Sequence, residues 1–177
     1  MQQNTNNFFN KKVLFIDLDD TLIKTISGKK FPKDITDFRI QLPVLNKIVE
    51  KFPNLEFAFI VTNQGGVGKH FTEYDIETKI VVITKFIDLY LANHLNNELL
   101  IADYEYCPSV NKKDIMRKPN IGMLKELCCK YFLTEDKEDK IMIGDASGKP
   151  GDFSDSDKKC AENFGIDYID VRDFLGL

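Results

Sequence analysis

The chain has 177 residues, 43% of them hydrophobic, enough to bury one sizeable core and few for two domains of ordinary size. A formal charge of -4 carries no global signature of nucleic-acid binding, although a basic rim can sit on an acidic body. The longest apolar candidate, Ile80 to Leu95, is broken by Lys85 and Asp88 and falls short of the roughly 20 residues that span a bilayer.

Residues 1–10 are polar and rich in Asn and Gln; they read as a loose tail ahead of a single domain over 11–177. The tail lacks the basic start and apolar run of a secretory signal. The four cysteines form no CxxC pair, so a reducing cytoplasm, or a nucleus, is the expected compartment. Val13 to Ile16 is a short apolar run ending at Asp17 and reads as a buried strand. Pro43 to Phe52 follows as an amphipathic helix, with Pro43 suited to its first turn. A second strand, Phe57 to Val61, ends at Thr62. A long helix, Thr72 to Asn93, opens on Glu73 and Asp75, acidic residues that favour a helix start. Leu99 to Tyr104, Lys140 to Ile143 and Asp167 to Asp170 are further strands, separated by helices at Ile121 to Phe132 and Ser156 to Phe164. Strands alternating with helices predict an α/β fold of three layers, α/β/α and Rossmann-like, around a central parallel sheet with right-handed crossovers.

In such sheets ligands sit at the carboxyl ends of the strands, and four polar clusters fall there. Asp17-Leu18-Asp19-Asp20-Thr21 places two carboxylates two residues apart after the first strand. Held that close they repel unless a proton or a hard cation intervenes, and magnesium is the economical choice. A carboxylate can attack phosphorus while its neighbour handles the leaving-group proton; a strand-end turn with solvated aspartates is the plainer alternative. Thr62-Asn63-Gln64-Gly65-Gly66-Val67-Gly68-Lys69 offers a hydroxyl and a glycine-rich approach to an anion. Its spacing is not that of a Walker A loop. Arg117-Lys118-Pro119 brings cations before a helix, and Gly144-Asp145 brings another carboxylate, with Asp152, Asp155 and Asp157 downstream as supporting groups.

Taken together, DxDxT, TN, RKP and GD in that order resemble the four motifs of the haloacid dehalogenase (HAD) phosphohydrolase superfamily, from Lys12 to Phe174. The resemblance implies a capless HAD fold with a short flap, Asp17 as nucleophile, Asp19 as acid/base, and Thr62 and Lys118 as phosphoryl contacts. It implies Mg2+ held by Asp17, Asp145 and the Asp19 carbonyl. Thr21, Asn63, Gln64 and Arg117 are expected at the substrate. One departure is Asp20, where this family usually has glycine; Asp tolerates unusual backbone angles well enough to keep the turn.

Within the superfamily the chain is similar to the 3'-phosphatase domain of polynucleotide kinase/phosphatase. The likeness rests on residues 25–39 (TISGKKFPKDITDFR), on Asn63-Gln64-Gly65-Gly66-Val67-Gly68, and on Gly144-Asp145-Ala146-Ser147-Gly148-Lys149-Pro150 with Asp152-Phe153-Ser154. It implies a phosphate monoester substrate, a DNA 3'-phosphate end, as in strand-break repair, and no accompanying kinase domain. Lys24, Lys29, Lys30, Lys33, Lys69, Lys112, Lys113, Arg117 and Lys118 fall in loops at the same edge and could form a basic rim. Phe31 and Phe38 could stack on bases, though packing in the core or flap suits them better. The alternative is a small-molecule phosphatase of the sugar bisphosphate or histidinol phosphate type. Those relatives usually carry a Cys/His zinc loop before RKP, whereas Tyr106 to Lys113 holds one cysteine and no histidine. A non-enzymatic phosphoacceptor domain is disfavoured by the DxDxT order.

Overall fold

A computed structural model describes residues 8–30, 32–134 and 136–177. The elements, in chain order, are β1 (Val13–Ile16), β2 (Ile23–Lys24), β3 (Arg39–Ile40), α1 (Leu42–Lys51), β4 (Phe57–Asn63), α2 (Glu73–Leu95), β5 (Ile101–Cys107), α3 (Gly122–Lys130), β6 (Lys140–Gly144), α4 (Ser156–Phe164), β7 (Asp167–Asp170) and α5 (Val171–Leu175). Five strands form one parallel sheet in the order β5-β4-β1-β6-β7. The three-layer expectation holds for a physical reason visible in β1. Its alternate side chains go to opposite faces, Leu14 and Ile16 into a core with α1 and α2 residues such as Leu45, Ile48, Ile80 and Ile83. Val13 and Phe15 enter a second core with Met123, Leu124, Leu127, Cys160 and Phe164 of α3 and α4.

β1 lies at the centre, with Ile16 level with Ile60 on one side and Ile143 on the other. The residues following β1, β4 and β6 therefore emerge side by side, and the Asp17 amide donates to the Ile143 carbonyl at 2.9 Å. α2 begins with a reciprocal cap: the Asp75 amide donates to the Thr72 hydroxyl, and Thr72 N–H donates back to the Asp75 carboxylate.

Several boundaries differ from the sequence reading. β4 runs on to Asn63 because β5 pairs with it as far as Cys107. The third strand begins at Ile101 rather than Leu99, since the Leu99 amide is taken by the Asn97 side chain. α3 ends at Lys130, and Phe132 takes a positive φ of 51. Of the tail expected to be loose, residues 8–10 form a 3-10 turn, and Phe8 stacks on Phe52 with centroids 4.9 Å apart; residues 1–7 lie outside the described residues.

The flap between β1 and α1 is a two-stranded hairpin, Ile23 and Lys24 against Ile40 and Arg39. Asp37 organises its tip by accepting from the Ser27 amide and hydroxyl and from the Lys33 amide. The Ser27 hydroxyl, then the Lys33 amide, hold its carboxyl down to about 2. Phe38 packs against the core on the α1/α2 side of the sheet, while Phe31 lies outside the described residues.

Candidate active site

Asp17, one residue past β1, is 7% exposed and meets Lys118 from the β5–α3 connection. The Lys118 ammonium donates to Asp17 Oδ1 at 2.6 Å and to the Val61 carbonyl at 2.7 Å. It also pairs with Asp157 Oδ1 at 2.7 Å. Burial alone lowers the pKa of this ammonium, but the attraction of Asp157 and Asp17 outweighs it and the net shift is upward. Asp157, at the start of α4, approaches so closely because residue 144 is glycine: a Cβ there would lie 2.3 Å from Asp157 Oδ2.

Asp145, after β6, completes the cluster, and carboxylate oxygens of Asp17, Asp145 and Asp157 lie within 4.8 Å of one another. Burial pushes the Asp17 carboxyl well above the usual range; Lys118 pulls it back, and Asp157 and Asp145 push it up again. Burial first, then Asp157 and Asp20, raise Asp145 to about 7. Three carboxylates face one ammonium, all offering hard oxygen donors, and this deficit of positive charge fits a divalent cation such as Mg2+. Asp17, Asp145 and Asp157 are the carboxylates that could hold it; Lys118 engages Asp17 and Asp157 each through Oδ1.

These raised carboxyls set a sign for stability. Each has a folded pKa above its unfolded one, so its favourable contribution is present below the unfolded value, about 4, and is lost as pH rises through the folded value. The melting temperature of the metal-free protein is therefore expected to fall between about pH 5 and about pH 8. Mg2+ is expected to raise it more at the upper pH, because the cation competes with protons for the same oxygens. Thermal scans with and without Mg2+ at both pH values check this; an equal Mg2+ effect at the two ends contradicts it.

Asp19 lies across the crevice with its side chain 47% exposed. The turn carrying it is made possible at Asp20, whose φ of 59 is the left-handed conformation expected where the family has glycine. Gln64 donates from Nε2 to Asp19 Oδ2 at 2.7 Å and to the Thr62 hydroxyl at 2.8 Å. Thr62 thus accepts one bond and keeps its own O–H proton to donate.

Other residues expected at the substrate are spent inside the protein. The Asn63 side chain clamps the Lys118 backbone at two points, accepting from its amide and donating to its carbonyl at 3.0 Å each. Gln64 is 9% exposed and serves as the strut just described. Thr21 differs from these: it is fully buried, and among the described residues its hydroxyl has no hydrogen-bond partner. Arg117 donates to the Ser109 carbonyl at 2.6 Å and holds the loop before it. Of the downstream aspartates only Asp157 reaches the cluster. Asp152 binds Ser147 and Arg172, and Asp155 pairs with Lys159.

The basic rim is narrower than the sequence suggested, since Lys118 is buried and Arg117 half-buried. Lys24, Lys29, Lys30 and Lys33 on the flap, Lys69 after β4, and Lys112 and Lys113 after β5 are exposed. Lys30 lies over the Phe153 ring, 4.5 Å from its centroid, and so links the flap to the loop after β6. Among the described residues, no helix is long and apolar enough to cross a membrane.

Similarity to known proteins runs over nearly the whole chain. A model of the family described as polynucleotide kinase 3 phosphatase matches residues 12–174. The chain is 32% identical over 167 residues to the bifunctional polynucleotide phosphatase/kinase of Schizosaccharomyces pombe, covering 93% of this chain and 38% of that protein. It is 30% identical over 174 residues to an uncharacterized 20.8 kDa protein of Autographa californica nuclear polyhedrosis virus, covering 94% and 86% respectively. The structure of D,D-heptose 1.7-bisphosphate phosphatase from B. bronchiseptica, complexed with magnesium and phosphate, matches with a TM-score of 0.63 at 16% identity. That match covers 89% of this chain and 78% of that one, and it shows a shared fold. The chain spans well under half the length of the S. pombe relative.

Proposed function

The chain belongs to the polynucleotide kinase 3 phosphatase family, within the HAD-like phosphatases, and on that premise we propose that it removes the 3'-phosphate from DNA ends with Mg2+ as cofactor. The observation that carries the reading is the pairing of two carboxylates in unlike surroundings. Asp17 is buried, with Oδ1 fixed by Lys118 at 2.6 Å, whereas Asp19 is half-exposed, with Oδ2 fixed by Gln64.

Asp17 attacks phosphorus: an Asp17 O–P bond forms, the ester P–O bond breaks, and Asp19 gives its proton to the departing oxygen. Asp19, now anionic, takes a proton from water, which attacks the aspartyl phosphate and restores the Asp17 carboxylate as inorganic phosphate leaves. Lys118 holds Asp17 in its attacking orientation and sets positive charge beside the transferring group, and the Thr62 hydroxyl donates to a phosphoryl oxygen. Mg2+ held by Asp17, Asp145 and the Asp19 carbonyl would neutralise negative charge on the phosphoryl oxygens.

The names of the similar polynucleotide phosphatases and the exposed lysines of the flap and of the loops after β4 and β5 support a polymer end as substrate. A strand following those lysines would release condensed counterions, with a slope of roughly 0.7 per contact for single strands. The expected result is that kcat/KM for a 3'-phosphorylated oligonucleotide falls steeply with salt while that for a small monoester does not. Converting Lys29, Lys33, Lys112 and Lys113 to Glu should flatten the oligonucleotide slope and spare the small ester. Equal salt slopes for both substrates would instead favour a small-molecule phosphatase.

A further inference from the structure

Lys79 was not among the residues the sequence singled out. It lies on α2 in the same stripe as Ile76, Ile80 and Ile83, and its side chain is 4% exposed. A buried ammonium is costly without a counter-charge. Its ion partner is Asp19, with Nζ 3.6 Å from Oδ1, and the Phe38 ring of the flap lies against it, 5.5 Å from the centroid. Gln64 holds the other oxygen, Oδ2, at 2.7 Å. Asp19 is therefore fixed from both sides, by α2 and by the loop after β4, while 47% of its side chain still opens on the crevice. The 3.6 Å separation exceeds a hydrogen bond, so Lys79 acts on Oδ1 as a neighbouring charge while Oδ2 accepts from Gln64.

We propose that Lys79 is a positioning residue for the reaction: with Gln64 it fixes the plane of the Asp19 carboxyl and presents Oδ1 to the leaving oxygen. This rests on the assignment of Asp19 as acid/base made above. In the step concerned, the Asp17 O–P bond forms, the ester P–O bond breaks, and the proton on Asp19 Oδ1 passes to the leaving oxygen. Asp19 is left anionic beside the Lys79 ammonium. Phe38 braces that ammonium from the flap, so the same contact ties flap position to the orientation of the acid.

A weakly basic leaving oxygen departs without a proton, whereas a strongly basic one needs it, and a series of substituted phenyl phosphates separates the two cases. Relative to wild type, Lys79→Met should lower kcat/KM for 4-nitrophenyl phosphate by no more than about 3-fold. The loss should grow to about 30-fold or more for 4-methoxyphenyl phosphate, part of the roughly 100- to 10,000-fold that general acid catalysis supplies. Deleting one partner of a buried pair is costly when the other charge is left buried, but the Asp19 side chain is 47% exposed, so this variant should melt close to wild type. Lys79→Gln, which keeps polarity without charge, should steepen the leaving-group dependence in the same way, and Lys79→Arg should restore it. A loss uniform across the series, or none, in folded Lys79→Met or Lys79→Gln overturns the proposal while leaving the site intact. Failure of the wild type to hydrolyse any of the esters overturns the reading of the site and this proposal with it.

Discussion

Asp17→Asn is expected to fold and to lose turnover by at least about 10,000-fold, the scale on which loss of a catalytic nucleophile is felt. The amide keeps the shape and can still accept from Lys118, but it cannot attack phosphorus. Stability should move the other way. Burial and the neighbouring Asp145 and Asp157 already disfavour a charge at position 17, so a neutral amide relieves repulsion and the melting temperature should hold or rise. Steady-state assays with Mg2+ together with thermal scans separate the two effects. Residual activity within about 100-fold of wild type would remove Asp17 from the role of nucleophile.

Lys118→Met should damage both activity and the fold. Lys118 is 3% exposed, and its ammonium bridges Asp17 to Asp157 at 2.6 and 2.7 Å. Removing it leaves two buried carboxylates with no cation, a loss of about 3–5 kcal/mol where one partner of a buried pair is deleted. The destabilisation should be largest at neutral pH and smaller in acid, because protonating the carboxylates removes the unpaired charge. Mg2+ should recover part of it through Asp17 and Asp145. Denaturant unfolding at two pH values, with and without Mg2+, tests this; a loss that is small or independent of pH would mean that the three carboxylates do not depend on Lys118.

β1, β4 and β6 were legible because each is a short apolar run leading into a polar cluster, and burial on both faces demands that pattern. Asp17, Lys118 and Asp145 could be placed at one edge for the same reason: parallel strands put their carboxyl ends together. Contacts made across the sheet were harder to read. Asp157 was one of several aspartates after β6, and only Gly144, by leaving room for its carboxylate, brings it rather than Asp152 or Asp155 to Lys118. Asn63 and Gln64 read as substrate groups because the sequence shows side chains that can bind but not that the Lys118 backbone and Asp19 already use them. Lys79 did leave a trace, a charged residue on the apolar stripe of α2. α5 was missed because its helix is short and begins with the Asp170 side chain accepting from the Arg172 amide, a local cap at the end of β7.

The mechanism proposed for this site requires phosphate to pass through a covalent bond to Asp17. Rapid acid quenching of the wild type during turnover with Mg2+, followed by borohydride reduction and peptide mass mapping, converts an aspartyl phosphate into homoserine at the position that carried it. Homoserine is expected at position 17, and none when substrate is omitted. Turnover with residue 17 unmodified, or homoserine at another aspartate, would contradict it.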